Sequence, residues 1–388
     1  MKKLLLKNGL VVFENESKVA SVECSDGKIT NIFWENEYKN NEDDYTIIDC
    51  TGKYIMPGFI DIHVHGGGGA DSATATVEAY KTIAKNQLRF GTTSFVIAVP
   101  GGLPDENIHN CLEVVKHIKA NTTGANILGV HLEGPFINPK KRAAIPKENL
   151  CDPSIEKLYS VMGDYEDLFK IVTLAPELLN IEEVITELKR KNIIAAMGHS
   201  EASYTDTIKA ISYGANHFTH AFNAMTLMSS REPGMIVPAL VDDNCYVELI
   251  ADGYHVDKEN IKLALRIKNL DKVCLITDAI EVVGTDATSF SLPGLDNIQI
   301  RDGRTWGPNG AIIGSILTQN VAVKNISQWT DLPIHSVVKM ATGNPAKELG
   351  IYPQKGIIKA GSDADIIVAD KELNVLNTIV NGEVLYSV

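Results

Sequence analysis

Residues 57–66 read Pro57-Gly58-Phe59-Ile60-Asp61-Ile62-His63-Val64-His65-Gly66. The apolar residues of this stretch predict a short buried strand that ends in two histidines and a glycine-rich segment. Side chains of a strand alternate between its two faces, so His63 and His65 project to the same side. Two imidazoles in this position can bind one cation, although an H-x-H pair taken alone is equally compatible with two structural histidines. The remainder of the chain has to distinguish these interpretations.

Seven further apolar runs follow this strand, and helical segments lie between most of them. The predicted strands are residues 59–64, 92–99, 127–132, 169–174, 193–197, 217–220, 246–251 and 273–276. The predicted helices are residues 77–89, 107–120, 181–191, 204–213, 258–267, 318–329 and 334–349. Eight strand units in this alternation predict an α/β fold, a (β/α)8 TIM-like barrel. A doubly wound open sheet is the alternative, but no glycine fingerprint follows the first strand.

Both ends of the chain differ from this middle part, because they contain short strand-like runs without helices between them. Asp26-Gly27 is a hairpin signal near the start, and Asn381-Gly382 is another near the end. Because chain termini often lie close together, we predict one small β-sandwich domain from residues 1–54 and 355–388. Residues 55–354 then form the catalytic barrel.

The composition is that of a globular enzyme of small molecules. The 388 residues carry a net charge of −13, and no run of basic residues is longer than three. This charge argues against binding to nucleic acid or to an anionic membrane. Lys7 and Asn8 interrupt the apolar start too early for a signal peptide, and no segment reaches the length of a membrane span. Six scattered cysteines without a C-x-x-C pair are typical of reduced thiols in a cytoplasmic protein.

Polar side chains cluster where the predicted strands end. They are His63 and His65 after the first strand, Glu133 after the third, His199 after the fifth, His220 after the sixth, His255 after the seventh and Asp278 after the eighth. Barrel enzymes build their active sites on this face of the fold. The common placement therefore predicts one active site that six strands contribute to.

Glu133, His199 and His220 are the predicted ligands of a principal metal ion. Two imidazoles and a carboxylate with an open position are typical of catalytic zinc or iron sites, whereas closed structural sites more often use cysteine. The simpler alternatives are a solvated loop carboxylate and two core histidines. We interpret His131 as a structural histidine or as one that supports a ligand.

Asp278 is the predicted general base and acid, because a carboxylate beside a metal-bound water can accept its proton and pass it to a leaving amine. The alternative role is a cap of the next helix. His255 is suited to polarise a substrate carbonyl or to stabilise the oxyanion. Arg231 lies on the same loop as Asn223 and Ala224, which suits a phosphate or carboxylate, although a plain surface arginine is the simpler interpretation.

Several motifs carry a family resemblance. Besides residues 57–66 they are H-L-E-G-P-F at 131–136, G-H-S at 198–200, T-H-A-F-N-A-M at 219–225, R-E-P-G at 231–234, A-D-G-Y-H-V at 251–256, T-D-A at 277–279 and G-S-I-L-T at 314–318. In combination, and over essentially the whole chain, they resemble the N-acetylglucosamine-6-phosphate deacetylase family of the amidohydrolase superfamily.

The resemblance implies hydrolysis of the N-acetyl group of N-acetylglucosamine 6-phosphate, which gives acetate and glucosamine 6-phosphate. It also implies a divalent metal, zinc or iron, with one or two ions per subunit. Glu133, His199 and His220 match the ligands of the principal ion, and His63 and His65 match those of a second ion that some members bind. Relatives are commonly dimers or tetramers, so the resemblance also implies a homo-oligomer.

The resemblance further implies the catalytic and substrate-binding residues. Asp278 matches the catalytic aspartate, and His255 matches the histidine next to the acetyl carbonyl. The implied contacts to the amino-sugar phosphate are Ala144, Ile145, Asn223, Ala224, Arg231, His255, Ile313, Gly314 and Ser315.

Three positions depart from the family pattern. Ile145 stands where many members have a histidine that touches the sugar, and an aliphatic side chain cannot make that hydrogen bond. Ile280 and Gln319 also differ from the usual residues. The deacetylase of a related sugar, such as N-acetylgalactosamine 6-phosphate, therefore stays open. A cyclic-amide amidohydrolase is a weaker alternative, because residues 174–177 lack the bridging lysine of those enzymes, and a non-catalytic scaffold would lack ligands that are present here.

Overall fold

The computed structural model describes residues 3–34, 44–119, 123–292, 295–307 and 312–388. Strands alternate with helices through the middle of the chain, whereas both ends consist of strands. The strands are β1 (Lys3–Val12), β2 (Ser17–Ser25), β3 (Lys28–Trp34), β4 (Tyr45–Asp49), β5 (Tyr54–Pro57), β6 (Phe59–Val64), β7 (Gly66–Gly67), β8 (Ala70–Asp71), β9 (Thr92–Pro100), β10 (Asn126–Glu133), β11 (Phe169–Leu174), β12 (Ile194–Met197), β13 (His217–Phe218), β14 (Tyr246–Ile250), β15 (Val273–Ile276), β16 (Ser289–Leu292), β17 (Leu295–Arg301), β18 (Arg304–Trp306), β19 (Ile366–Ala369), β20 (Val375–Val380) and β21 (Glu383–Ser387).

The longer helices are amphipathic, and their buried residues recur on one side. In the described ranges no helix combines the length and the apolar character that a membrane crossing needs. The helices are α1 (Val77–Leu88), α2 (Asp105–Lys119), α3 (Ile155–Met162), α4 (Ile181–Arg190), α5 (Tyr204–Tyr213), α6 (Ile236–Val241), α7 (Lys258–Ile267), α8 (Gln319–Trp329), α9 (Ile334–Met340) and α10 (Gly343–Glu348).

Eight parallel strands form the barrel predicted from the sequence. They pair in the order β6, β9, β10, β11, β12, β13, β14 and β15. The first and last strands approach each other through a parallel bridge between Val64 and Ala279, and the backbone N–H of Asp278 donates to the carbonyl of His63 at 3.0 Å. This closure brings the carboxyl ends of β6 and β15 together at the active-site face.

The barrel core reflects two sequence patterns: continuous apolar runs in the strands and one apolar side on the helices. Residues 92–99 of β9 are all buried, as expected for a parallel strand that is covered on both faces. Helix α4 buries Ile181, Val184, Ile185 and Leu188, which recur every three or four residues on one side. Truncating the fully buried Leu188 to alanine is expected to cost about 2–5 kcal/mol of stability through lost packing.

Both chain ends contribute to one separate sheet, as the sequence predicted. It contains eight strands in the order β21, β20, β19, β5, β1, β2 and β3, with β4 paired to β1. Strand β5 pairs antiparallel with β19, which joins the two ends of the chain. A core of its own includes Leu6, Val22, Ile55, Ile366 and Ile379. The boundaries at residues 54 and 355 remain a prediction.

Some elements differ from the sequence-based prediction. The predicted helix 334–349 is two helices, because Gly343 begins α10 and Pro345 lacks the N–H that a continuous helix needs. The apolar pair Ile357-Ile358, one of the strand-like runs near the chain end, does not form a strand, and helices α3 and α6 were not predicted. The end of the predicted helix 107–120 lies outside the described residues.

A three-stranded antiparallel sheet of β16, β17 and β18 was also missed. Its β17–β18 hairpin turns at Asp302-Gly303, where both residues have positive φ, as a two-residue turn requires. The Asp-Gly signal for this hairpin was therefore present in the sequence. Ile280, Ile298 and Ile313 share a small apolar cluster that joins this sheet to the segment after β15.

Candidate active site

A cavity of about 420 Å³ opens at the carboxyl ends of the barrel strands. Its wall contains most of the polar residues that the sequence placed at the strand ends: His65, Glu133, His199, His220, His255 and Asp278. Residues from six strand ends therefore meet at one site. The volume is within the range of pockets that bind small molecules.

Glu133, His199 and His220 form the first cluster. Glu133 Oε1 lies 2.9 Å from Nε2 of His199 and 3.3 Å from Nε2 of His220, and the two imidazole nitrogens are 3.0 Å apart. All three side chains are buried. Burial raises the pKa of Glu133, but the neighbouring histidines outweigh it and hold the pKa well below its ordinary value. The carboxylate is therefore ionised and available as a ligand.

His63 and His65 form a second cluster with the same glutamate. Their Nε2 atoms are 3.2 Å apart, and Glu133 Oε2 lies 3.5 Å from Nε2 of His65. Potential ligand atoms of His63, His65 and Glu133 lie within 4.8 Å of one another, as do those of Glu133, His199 and His220. Imidazole and carboxylate donors suit zinc, iron or manganese. The donor set thus fits one or two divalent ions that share Glu133.

The ring of His199 is fixed from behind by the backbone. Its Nδ1–H donates to the carbonyl oxygen of Lys141 at 2.7 Å, so Nε2, which faces Glu133, is the ring nitrogen left for a metal ion. Metal-binding histidines are commonly oriented in this way. The interaction spans residues from different loops, and sequence reasoning did not find it.

Several site residues have a backbone conformation that is uncommon outside glycine. The φ angles are +49° for His199, +29° for His220 and +51° for Asp278. Each is the second residue after the end of its strand, and its side chain lines the cavity. Such backbone strain is concentrated at functional sites, and here it coincides with the candidate ligands and base.

Asp278 lies beside the second cluster. Its Oδ1 is 3.3 Å from Nε2 of His65 and 3.7 Å from Nε2 of His63, and its side chain is 14% exposed to the cavity. Burial raises the pKa of Asp278, but the hydrogen bond from His65 and the nearby histidine charges outweigh it and lower the pKa below 3.8. The group is therefore a carboxylate at neutral pH and can accept a proton.

His255 faces the cavity from the loop after β14. Its Nδ1–H donates to Oδ2 of Asp252 at 2.6 Å, which fixes the orientation of the ring. The backbone N–H of His255 donates to the other oxygen of the same carboxylate at 2.8 Å. Asp252 therefore holds His255 in place through two hydrogen bonds.

Most of the predicted substrate contacts line the cavity. Ala144, Ile145, Asn223, Ala224, Ile313 and Gly314 belong to its wall. Ser315 does not, because it is buried and donates its backbone N–H to the carbonyl of Asp278 at 3.0 Å. Arg231 is exposed and is not part of the wall. No arginine or lysine occurs in the cavity wall within the described ranges.

The structure adds cavity residues that sequence reasoning missed. Asp71 and Tyr254 line the cavity, and the guanidinium of Arg304 lies 4.2 Å from the centre of the Tyr254 ring. Arg304 belongs to the unpredicted β17–β18 hairpin, so its position could not be inferred without that element. The remaining wall is largely apolar, with Leu103 and Ile280 among its residues.

His131 lies beneath this site and does not reach the cavity. It is fully buried, and its ring lies 4.3 Å from that of His63. Nε2 of His131 is 2.7 Å from the hydroxyl of Thr173, and Nδ1 is 3.3 Å from the carbonyl of Ile62. Both ring nitrogens therefore have protein partners.

Comparison with known proteins identifies relatives that match nearly the full length. N-acetylglucosamine-6-phosphate deacetylase of Bacillus subtilis is 34% identical, over 99% of this chain and 97% of the relative. N-acetylgalactosamine-6-phosphate deacetylase of Escherichia coli O157:H7 is 30% identical, over 87% of this chain and 89% of the relative. The crystal structure of N-acetylglucosamine-6-phosphate deacetylase from Pasteurella multocida superposes with a TM-score of 0.93 at 30% identity, covering 100% of both chains.

The family model described as amidohydrolase family matches residues 54–385, which is most of the chain. The matched region contains the barrel and all of its candidate ligands. The sequence match, the barrel and the cluster of histidine and carboxylate side chains thus agree, and the chain belongs to the amidohydrolase family.

Proposed function

We propose that this protein hydrolyses the N-acetyl group of N-acetylglucosamine 6-phosphate to give glucosamine 6-phosphate and acetate. The observation that carries the proposal is the convergence of Glu133, His199, His220 and Asp278 on one cavity of suitable size. Full-length relatives with this named activity support the same substrate.

Glu133, His199 and His220 would hold one divalent ion, and His63 and His65 with Glu133 would hold a second. Zinc and iron are the metals that this donor set suits best. When bound, the metal lowers the pKa of a coordinated water and polarises the substrate carbonyl. One or two ions per subunit are compatible with the donors present.

Asp278 performs the proton transfers in this proposal. Its carboxylate accepts a proton from the attacking water as the new C–O bond forms at the acetyl carbon. The same proton then passes to the leaving nitrogen as the C–N bond breaks, which releases the amine and acetic acid; the acid loses its remaining proton to solvent and becomes acetate. The lowered pKa of Asp278 keeps it ready to accept a proton at neutral pH.

His255 contributes at the carbonyl side of the reaction. Because Asp252 accepts the proton of Nδ1, the opposite ring edge is free to contact the substrate. In the imidazolium form, in which both ring nitrogens carry a proton, Nε2–H would donate to the acetyl oxygen and stabilise the charge that develops there.

The sugar phosphate would be bound by the loop that follows β13. Asn223 and Ala224 lie in the cavity wall, and Arg231 follows on the same loop. Backbone N–H groups and a guanidinium are effective phosphate ligands. Ala144, Ile145, Ile313 and Gly314 contribute apolar surface against the sugar.

N-acetylgalactosamine 6-phosphate is the second candidate substrate. The buried side chain of Ile145 cannot donate or accept a hydrogen bond at the wall where it contacts the cavity. Discrimination between two sugars that differ only in the orientation of one hydroxyl depends on such hydrogen bonds. The full-length match to an N-acetylgalactosamine-6-phosphate deacetylase supports considering this substrate.

We further propose a cytoplasmic location and a homo-oligomer, either a dimer or a tetramer. All six cysteines are free, which suits a reducing compartment. Light scattering on the protein as it elutes from a size-exclusion column gives its molar mass, which distinguishes a dimer from a tetramer.

The decisive experiment measures acetate release from a panel of N-acetylhexosamines with and without the 6-phosphate. We expect turnover of a phosphorylated N-acetylhexosamine, loss of turnover after chelation, and recovery when zinc or ferrous ion is added back. Metal-loaded protein that releases no acetate from any member of the panel would contradict the proposal.

A further inference from the structure

Glu248 lies behind the two candidate metal positions. It belongs to β14 and is fully buried. Oε2 of Glu248 lies 3.1 Å from Nδ1 of His63, and the same oxygen accepts a hydrogen bond from the backbone N–H of His220 at 2.9 Å. One buried carboxylate therefore contacts a candidate ligand of each metal position.

The second oxygen of Glu248 faces another buried histidine. Oε1 lies 3.2 Å from Nε2 of His217, and Nδ1 of His217 lies 3.3 Å from Oε1 of Glu348 on α10. The contact to Glu248 is an ion pair and not an aligned hydrogen bond. Burial lowers the pKa of His217, but the two carboxylates raise it to about 9, so the ring is a cation at neutral pH. His217 thus compensates the buried charge of Glu248.

The contact between Glu248 and His63 decides which ring nitrogen of His63 is available to bind a metal. A carboxylate can only accept a hydrogen bond, so Nδ1 of His63 carries a proton, and Nε2 is the ring nitrogen left for a metal ion. Nε2 is the atom that lies 3.2 Å from Nε2 of His65 and 3.6 Å from Oε1 of Glu133. Glu248 therefore orients His63 as a ligand.

We propose that Glu248 is a positioning residue for the second metal position, and that His217 and Glu348 support it from the opposite side. The carboxylate fixes the tautomer and the direction of His63, and it holds the backbone of His220 beside the first position. This inference rests on the proposed metal site but not on the proposed substrate.

A direct role of Glu248 as a ligand is the competing explanation, since His63, His131 and Glu248 also have potential ligand atoms within 4.8 Å of one another. The positioning role is favoured because both ring nitrogens of His131 already contact Thr173 and Ile62. A variant of His131 distinguishes the two roles.

The test measures Co²⁺ binding to metal-free protein in competition with a chelator, together with the visible spectrum of the bound cobalt. Glu248→Gln is expected to lower the affinity for the cobalt ion at the His63 position by about tenfold to a hundredfold and to change the spectrum of that ion. Glu23→Gln is the matched control, because Glu23 is also buried and hydrogen-bonded but lies in the terminal sheet. It should bind cobalt as the wild type does.

A double-mutant cycle asks whether Glu248 acts through His63. If it does, adding Glu248→Gln to His63→Gln weakens cobalt binding no further than His63→Gln alone. His131→Gln should have little effect on the same ion. Wild-type affinity in Glu248→Gln, full additivity in the cycle, or a loss in His131→Gln equal to that in Glu248→Gln would each overturn the proposal.

Folding of each variant is checked by circular dichroism and thermal unfolding. If Glu248→Gln does not fold, Glu248→Asp replaces it in the test. Aspartate keeps the charge but is shorter by one methylene, so it should lower the affinity for the same cobalt ion to a smaller extent. Unchanged cobalt binding in Glu248→Asp then overturns the proposal. Because no substrate is used, failure of the proposed deacetylase activity gives a separate result.

Discussion

Oε1 of Glu133 lies 2.9 Å from Nε2 of His199, although 66 residues separate them in the chain. The first residue ends β10, and the second follows β12. Two parallel strands of a barrel therefore deliver a carboxylate and an imidazole to the same point. This contact is the centre from which the metal and proton-transfer roles were inferred, and the predictions below test those roles separately.

Asp278→Asn should retain bound metal but lower kcat by about 10²- to 10⁴-fold, because the amide cannot accept the proton of the attacking water. Acetate release and metal analysis on the same sample measure the two properties. Asp257→Asn is the matched control, since Asp257 caps α7 outside the cavity wall. Activity near that of the wild type in Asp278→Asn would remove this residue from the mechanism.

Glu133→Gln should lower metal content more than His199→Gln or His65→Gln does. Glu133 contacts His199 through Oε1 and His65 through Oε2, so this one side chain reaches both metal positions. Elemental analysis of the purified variants gives the metal-to-protein ratio. A ratio in Glu133→Gln that equals the wild-type ratio would contradict the shared role.

Arg231→Ala should raise KM for the 6-phosphorylated substrate much more than for the unphosphorylated sugar, because a guanidinium pairs with phosphate. Its exposed position predicts little effect on stability. Arg266→Ala, at another exposed arginine in the last turn of α7, controls for loss of surface charge. An equal effect of Arg231→Ala on both substrates would assign phosphate binding to other groups.

Ile145→His should change the ratio of kcat/KM between the two epimeric N-acetylhexosamine 6-phosphates. The imidazole adds a hydrogen-bonding group to an apolar part of the wall, and a sugar without the matching hydroxyl leaves that group unpaired. We expect a change on the order of tenfold, equivalent to about 1.4 kcal/mol. Ile145→Leu keeps the wall aliphatic and should leave the ratio nearly unchanged. Equal ratios in both variants would show that this wall does not select the sugar.

The free energy of unfolding should depend on pH at the acid end, because Glu23 titrates there. Burial raises the pKa of Glu23, but hydrogen bonds from Thr30, Tyr45 and Asn31 outweigh it and lower the pKa from 4.5 to about 2. A depressed pKa means that the stabilisation is complete above pH 4.5 and is lost as the pH falls towards 2.

The stability difference between the wild type and Glu23→Gln should therefore narrow over this acid range. Urea unfolding of both proteins at a series of pH values measures the difference. A difference that stays constant down to about pH 2 would show that Glu23 has no such linkage.

Much of this fold could be inferred from the sequence because the barrel strands are local features. Apolar runs such as residues 169–174 are recognisable from their composition alone, and the structure places a strand over the same residues. The hairpin signals at both chain ends likewise predicted strands that pair in one sheet. The three-stranded sheet was missed, because its strands are short and the Asp302-Gly303 pair was not recognised as a hairpin turn.

The sequence by itself also determined which residue types carry the chemistry, since the histidines and carboxylates stand directly after apolar strands. It could not determine their distances, because these depend on the closure of β6 against β15 and on the positive φ angles at His199, His220 and Asp278. The positions of Glu248 behind His63 and of Arg304 over Tyr254 were decided only by the tertiary structure. Contacts between side chains remote in sequence arise from packing of the whole barrel, and no local pattern in the chain encodes them.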